Sequence, residues 1–427
     1  MPPGVFELRG QSDTAASAES AKPLQWPTSA GETSTVRSDL GWWIQEAGHA
    51  PDAAIDLVRI AGGAYLADRL AARPATFTRT MHLRVAVTNP DRWANGTADL
   101  AADLLHWLTG DQWTLTLFQD PCGDRPERSP APTPDGAPTS LLSGGLDSFL
   151  GALHLLQPGH TQPQFVGHAD SATAVRHAQS LIAQWLGTAY SPPPSYSRLE
   201  FSQAERKGEN SSRSRSLLFI ALGTIAAAAN HSDMVYVPEN GYTSLNIPLH
   251  PNRGGALSTR STHPTTLQRV NDLLAALELT VQITNPFADL TKGEQMARVA
   301  AQSMPAGWEK AAAKTVSCGK LDGRTFEGGN PNLNCGLCYP CVVRRGAFLA
   351  AGVTDETVYL SDALTGDSRT QLLAKRRSDR EAIAYAIEHG PDDDLIDAST
   401  WPDGYDLDQA TDLVRRGLAE LSAVTLT

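Results

Sequence analysis

Long apolar runs are missing from this 427-residue sequence. The longest, Leu217 to Ala229, is broken by Gly223 and Thr224. It falls short of the roughly 20 residues that a membrane-spanning helix needs, so it reads as a buried helix and no membrane role is expected. The opening residues, MPPGVFELRGQSDTAASAES, lack the basic-then-apolar pattern of a secretory signal, and a cytoplasmic location is the expectation. Positive charge is also scarce. There are 35 Lys and Arg against 47 Asp and Glu, a net charge of -12, with a pI near 5.4. That balance argues against a broad grip on nucleic acid, which calls for a basic face; a local basic cleft stays open. Cysteine is rare but uneven: of five, four fall between Cys318 and Cys341, and Cys122 stands alone. No repeat of fixed period is present. What remains, 41% hydrophobic and 19% charged, is ordinary globular composition, long enough for two or three domains.

Residues 1–35 are rich in Ser, Thr, Ala and Pro and read as a loosely ordered leader, with an edge strand around Val5 to Leu8 as the alternative. Residues 36–120 read as a small α/β domain of unassigned role. DAAIDLVRIAGGAYLADRL and ADLAADLLHWL have helical spacing, while MHLRVAVTNP and QWTLTLF alternate as strands do. The Pro-, Gly- and charge-rich stretch 121–136 reads as a linker. From 137 to 310 strands and helices alternate: SLLSGG, FVGHAD, SRLEFS, MVYVPE and TVQITNP, each followed by a helical pattern. That rhythm predicts a parallel sheet covered on both faces, with ligands beyond the carboxyl ends of its strands. Residues 311–350 hold the cysteines, and 351–427 read as mainly helical, with LDQATDLVRRGLAELSAV packing back on the body.

The stretch SLLSGGLDSFLGAL places Ser143, Gly144, Gly145, Leu146, Asp147 and Ser148 where a strand turns into a helix. Such a turn aims unpaired N–H groups at one point, and the helix dipole adds positive potential there. Two glycines let an anion approach the backbone, and two serines add hydroxyl donors. Asp147 fits beside a phosphate only if it caps the helix or holds Mg²⁺. The pattern is an anion cradle without the Walker sequence. Cys318 followed by the C-x-x-C-x-x-C of Cys335, Cys338 and Cys341 has the spacing of a four-thiolate metal site. Structural zinc and an iron–sulfur cluster are the two occupants it admits.

SGGLDS after a buried strand resembles the signature of the PP-loop ATP pyrophosphatases, which cleave ATP between the α and β phosphates and use the adenylyl group to activate an oxygen. Together with CGLCYPCVVRRGAF, Arg215–Ser216–Leu217–Leu218–Phe219 and LTKGEQM, it resembles the 7-cyano-7-deazaguanine synthase (QueC-like) family over about residues 137 to 350. The long first segment and GALSTRSTHP are most similar to the QatC group of bacterial anti-phage systems and its CBASS relatives.

This resemblance implies a doubly wound parallel five-stranded sheet of the HUP, adenine nucleotide alpha hydrolase-like type, a four-cysteine subdomain holding structural Zn²⁺, and ATP with Mg²⁺ as cofactors. It implies adenylation of the carboxylate of 7-carboxy-7-deazaguanine. Transfer then goes to an amine of a partner protein from the same operon, or to ammonia; a nucleotide-binding scaffold without turnover is the non-enzymatic alternative. The cradle would hold the pyrophosphate, Arg215 and Lys292 would reach the phosphates, and Asp147 would hold the Mg²⁺. Asp170, just past the second strand, sits where ribose or adenine is held. Arg260 and His263, in the polar loop Glu239 to Pro264, would face the deazaguanine or acyl-adenylate; His263 reads equally as a structural histidine beside Pro264. His168 and His177 read as packing or surface residues, and Arg344 and Arg345 as support for the site or solvent-facing. A tRNA-thiolating relative is disfavoured because residues 137 to 317 contain no cysteine.

Overall fold

The computed structural model describes residues 4–10, 21–26, 34–38, 50–120, 136–158, 161–169, 172–203, 208–209, 212–250 and 260–425. Two sheets organise them. The first contains β1 (Gly4–Gly10), β2 (Lys22–Trp26), β4 (Thr80–Val87) and β5 (Gln112–Gln119) in the order β2-β1-β4-β5, with every pairing parallel. Residues 1–35 are therefore not simply a leader. Phe6 and Leu8 are buried, and β1 is paired on both sides. The alternative reading of a strand around Val5 to Leu8 is the one that stands, though the strand is paired on both sides and not at an edge.

The second sheet contains β3 (Val36–Ser38), β6 (Thr139–Leu141), β7 (Gln164–Ala169), β8 (Tyr196–Gln203), β9 (Met234–Tyr236) and β10 (Gln282–Thr284) in the order β10-β9-β6-β7-β8-β3. Five of these strands run parallel, each where the sequence pattern expects one. The sheet is six-stranded rather than five-stranded, because β3 adds an antiparallel edge beside β8.

Helices cover both faces. On one lie α3 (Leu146–Leu155), α4 (Thr173–Ala189), α8 (Lys292–Ala300) and α9 (Trp308–Ala313), packed with Leu142 and Phe165. On the other lie α5 (Arg215–Ala229) and α7 (Pro264–Ala276), packed with Leu141 and Val166. Adjacent residues thus enter opposite cores, Phe165 and Val166 within β7 and Leu141 with Leu142 at the end of β6, as the two-residue period of a strand requires.

The two sheets share one core through α1 (Asp52–Leu70), which is buried along nearly its whole length. Two mid-helix glycines cost helix propensity, and here each is needed. A Cβ on Gly62 would stand 2.5 Å from the Phe201 ring of the second sheet, and one on Gly63 would stand 3.1 Å from Leu8 of the first. α2 (Thr97–Thr109) follows β4 and leads into β5. The linker 121–136 lies outside the described residues except for Gly136.

The last cysteine, Cys341, lies in α10 (Tyr339–Ala350), and a helical region that ends in α15 (Leu407–Ser422) follows. Glu420 of this last helix accepts from the N–H of Gly293 at 3.0 Å and from the Thr291 hydroxyl, tying the C-terminal region to the start of α8. Among the described residues no helix is long and apolar enough to cross a membrane.

Candidate functional site

The glycine turn leaves β6 at its carboxyl end. Gly144 has φ +91°, a backbone conformation that side chains disfavour, and a Cβ there would stand 3.0 Å from Gln179 Cγ. The turn is fixed from outside. Tyr196 Oη donates to the Leu142 carbonyl (2.8 Å), Gln179 Nε2 to the Ser143 carbonyl (3.2 Å), and the Val316 N–H to the Gly144 carbonyl (2.9 Å). Ser148 Oγ accepts from the Ser143 N–H at 3.1 Å and donates to the Gly145 carbonyl at 3.1 Å. The first-turn N–H groups of α3, from Leu146 onward, have no intrahelical acceptor and give this end of the helix its positive potential.

In the strand order, β6 lies between β7 and β9, so the loops after β6 and β9 diverge there. Such a switch point forms a crevice at the carboxyl ends of the strands. A cleft of about 940 Å³ occupies it. Ser143, Gly144, Gly145 and Ser148 line one wall; Glu239 lies three residues past the end of β9; Ser212, Arg215 and Ser216 stand at the start of α5. Arg69 of α1 and Arg324 of the cysteine region also line it, giving three arginines against one acid among the described residues of the lining. An anionic ligand suits that balance. The N-terminal region therefore has a place in the cleft, which its sequence did not reveal.

Asp147 and Lys292, both expected at the ligand, lie behind the lining. Lys292 Nζ is 2.5 Å from Asp147 Oδ2, and Asn240 Nδ2 donates to Asp147 Oδ1 at 2.9 Å. Both carboxylate oxygens of Asp147 are engaged, and Asp147 is not among the residues that line the cleft. Asn240 also donates to Glu239 Oε1 (3.2 Å), as does Thr243 Oγ1 (3.0 Å), so the two carboxyls form one cluster. Burial and the charge of Asp147 push Glu239 up to about 8. Burial also acts to raise Asp147, but Lys292 together with hydrogen bonds from Glu239 and Asn240 outweighs it and holds that carboxyl below its usual range. Below about pH 8 the pair thus keeps one proton, on Glu239.

Arg215 lines the cleft as expected. Its Nε donates to Nδ1 of the buried His168 at 3.4 Å, and His168 Nε2 donates to the Phe201 carbonyl at 2.9 Å. Edge contacts with Tyr65 and Phe219 fix the His168 ring, so this packing residue also positions Arg215. Arg260 is not at the ligand. It lies over the Trp107 ring at 3.9 Å and donates to the Trp107 carbonyl at 3.1 Å. From the same polar loop, Ser261 and Thr262 do line the cleft, while residues 251–259 lie outside the described residues. Asp170 also falls outside them. Arg344 is fully buried and braces the segment beside the glycine turn through Thr315 Oγ1 (2.7 Å) and the Ala312 carbonyl (2.7 Å). Arg345 pairs with Asp362 at 2.9 Å.

His263 is a structural histidine. Its Nδ1 caps α7 by accepting from the Thr265 N–H at 3.2 Å, and its ring packs between Trp107 and Trp401. Burial and Arg260 lower it from 6.5 to about 4. The unfolded chain therefore takes up this proton first. The residue's stabilisation is complete above pH 6.5 and is lost as pH falls towards 4, by up to about 3 kcal/mol. His263→Asn keeps a capping acceptor without the titration. Urea midpoints measured from pH 7 to 4.5 should fall less steeply for the variant, and parallel curves would remove the assignment.

The four cysteines converge. Their sulfurs all lie within 4.8 Å of one another, and all four residues are buried. Thiolates around one tetrahedral ion at about 2.3 Å stand about 3.8 Å apart. The observed separations are 3.8 Å (Cys318–Cys338), 3.9 Å (Cys335–Cys341) and 3.4 Å (Cys338–Cys341). A cluster distributes its cysteines over several irons, so this spacing fits a single ion. Backbone N–H groups of Lys320, Cys335 and Cys338 point at the sulfurs (3.3–3.4 Å), and so does Arg376 Nε on Cys335 (3.4 Å). Such donors stabilise thiolate charge. Arg376 gave no signal in the sequence. Cys318 and Gly319 also line the cleft, so the four-cysteine cluster forms part of its wall.

No family model matches the chain, and neither the curated proteins nor the solved structures contain a match.

Proposed function

We propose that this chain adenylates a carboxylate with ATP and passes the acyl group to an amine. The QueC-like resemblance names the substrate as 7-carboxy-7-deazaguanine and the acceptor as an amine on a partner protein of an anti-phage system. The observation that carries the reading is the placement of the Ser143–Ser148 turn. It lies in a large arginine-lined cleft at the switch point of a parallel sheet whose strand order fits a HUP-like nucleotide-binding unit. A carboxylate and a triphosphate repel each other, and preorganised N–H groups and guanidiniums offset that repulsion. The turn is suited to the outgoing pyrophosphate, and Arg215 to a phosphate or the carboxylate. Zinc, as a closed four-thiolate structural ion, is the occupant we assign to the cysteines.

The test is mass spectrometry after incubation with ATP, 7-carboxy-7-deazaguanine and either ammonia or a candidate partner. AMP with a mass gain on the partner is the expected result. A free nitrile formed with ammonia would instead make the chain a 7-cyano-7-deazaguanine synthase, and no AMP under any condition would leave it a scaffold. Gly144→Val should lower AMP release by about 100-fold or more, because the side chain disturbs the donor set; undiminished release would remove the turn from the reaction.

A further inference from the structure

We propose that Glu239 is the catalytic residue that receives the acceptor amine. The inference rests on the acyl-adenylate reading and deepens it. Among the described residues Glu239 is the one acidic side chain lining the cleft, facing a lining that carries Arg69, Arg215 and Arg324. Those arginines favour phosphate and carboxylate and repel an ammonium group. An amine nucleophile needs the opposite environment, an acceptor that holds its N–H and takes up its proton, and Glu239 supplies it.

The position of Glu239 is fixed relative to the glycine turn. It lies three residues past the end of β9, the strand next to β6, and Asn240 Nδ2 bridges its Oε1 (3.2 Å) to Oδ1 of Asp147 (2.9 Å), which lies in the first turn of α3. Thr243 Oγ1 holds the same Oε1 at 3.0 Å. Lys292 on Asp147 offsets part of the negative charge behind Glu239, and the remainder acts with burial to raise the carboxyl. The carboxyl group is in this way both oriented and electrostatically buffered, the two things a proton acceptor needs.

The step balances. The nitrogen lone pair of a neutral amine forms a bond to the acyl carbon. The bond from that carbon to the adenylate oxygen breaks, AMP leaves with the electron pair, and one proton passes from nitrogen to the Glu239 carboxylate, the ionised form that prevails above about pH 8. Adenylation precedes this and needs no proton acceptor, because the attacking group is already a carboxylate.

That division makes the inference testable with the full chain. Carboxylate-dependent exchange of labelled pyrophosphate into ATP reads the first half-reaction. Product formation from ammonium chloride or methylamine reads the second, and hydroxylamine, a stronger nucleophile, traps the acyl-adenylate with little help. Glu239→Gln retains the contacts to Asn240 and Thr243. It should leave exchange within about twofold of the native chain, retain hydroxamate formation, and lower amide formation by about 100-fold or more. Glu239→Asp, with its carboxylate set back, should recover part of that loss. Unchanged amide formation in Glu239→Gln, or a parallel fall in exchange and amide formation in both variants, would overturn the assignment. Absence of exchange in the native chain would instead strike the acyl-adenylate reading itself and the role of Glu239 with it.

Discussion

Cys338→Ser should lose its metal and most of its soluble yield together. The Cys338 sulfur is 3.8 Å from that of Cys318 and 3.4 Å from that of Cys341, and the residue is also the N-cap of α10. The apolar core around the cluster is small: Phe326, Leu337, Leu360, Leu364 and Leu372 are its other buried members. Burying a few such side chains stabilises by about 1.5–3 kcal/mol each, little against the entropy of ordering the long turns between 314 and 338. A structural four-thiolate zinc contributes about 10–16 kcal/mol to folding in small peptides, so the ion has to supply much of the local stability. Serine does not replace a thiolate, and a three-sulfur site binds far more weakly.

Metal analysis of the purified native chain should give one zinc per chain, and the variant should give close to none. A soluble Cys338→Ser protein with a full complement of metal would end the claim. Iron in the native chain would leave the single-ion geometry standing and replace only the identity of the ion. Arg376→Met offers a milder version of the test. It removes the guanidinium from Cys335 while leaving four sulfurs, and should weaken metal retention against a chelator by about 10–100-fold.

Most elements were legible because their signals are local. The alternation of MHLRVAVTNP and the helical period of DAAIDLVRIAGGAYLADRL each lie within a dozen or so residues, and both elements stand where those patterns fall. The same holds for the two clearest parts of the site. A Ser-Gly-Gly turn and a C-x-x-C-x-x-C run carry their geometry in adjacent residues.

What the sequence hid is what the fold brings together. Glu239 and Asp147 are 92 positions apart, and nothing in ENGYTSLN marks Glu239 until β9 is placed beside β6. Arg260 and His263 mislead for the converse reason. A polar loop beside a binding sheet looks like a ligand loop, yet the indole of Trp107, more than 150 positions away in the chain, claims both side chains for packing. The N-terminal segment escaped for want of a motif. A helix with glycines where two sheets approach it is a feature of shape, and shape has no short signature.

Asp68→Ala should cost about 3–5 kcal/mol of stability and take the cleft with it, the second large effect expected. This carboxylate is fully buried near the end of α1, yet its partners belong to another part of the chain. Oδ2 accepts from Ser212 Oγ (3.1 Å), the Arg213 N–H (2.8 Å), the Ser214 N–H (3.2 Å) and Ser214 Oγ (2.9 Å). Those donors are the approach to α5, whose first residue is Arg215. Asp68 therefore caps, from the N-terminal region, the helix that carries a cleft arginine, while its neighbour Arg69 lines the cleft directly.

On its other side Asp68 is paired with Arg79, which also binds Asp111 (2.5 Å); Arg73 binds Asp111 as a two-pronged pair at 3.0 Å. Burial alone would raise the Asp68 carboxyl, but Arg79 and the donors of 212–214 overcome this and hold it below its usual range. Two acids and two arginines balance. Removing one acid leaves a buried positive excess and several donors without an acceptor, the costly case for a buried network.

Urea unfolding should show a lower midpoint with an unchanged slope, the sign that stability and not compactness has changed. Asp68→Asn retains an acceptor for the α5 donors but not the charge, and should fall between the native chain and alanine. If Asp68→Ala lost less than about 1 kcal/mol, the network would be a bystander and the seating of α5 would have to come from the shared apolar core. If the stability fell but Asp68→Asn kept full AMP release, the cap alone would suffice to place Arg215, and the paired charges would serve only to hold the two sheets in one body.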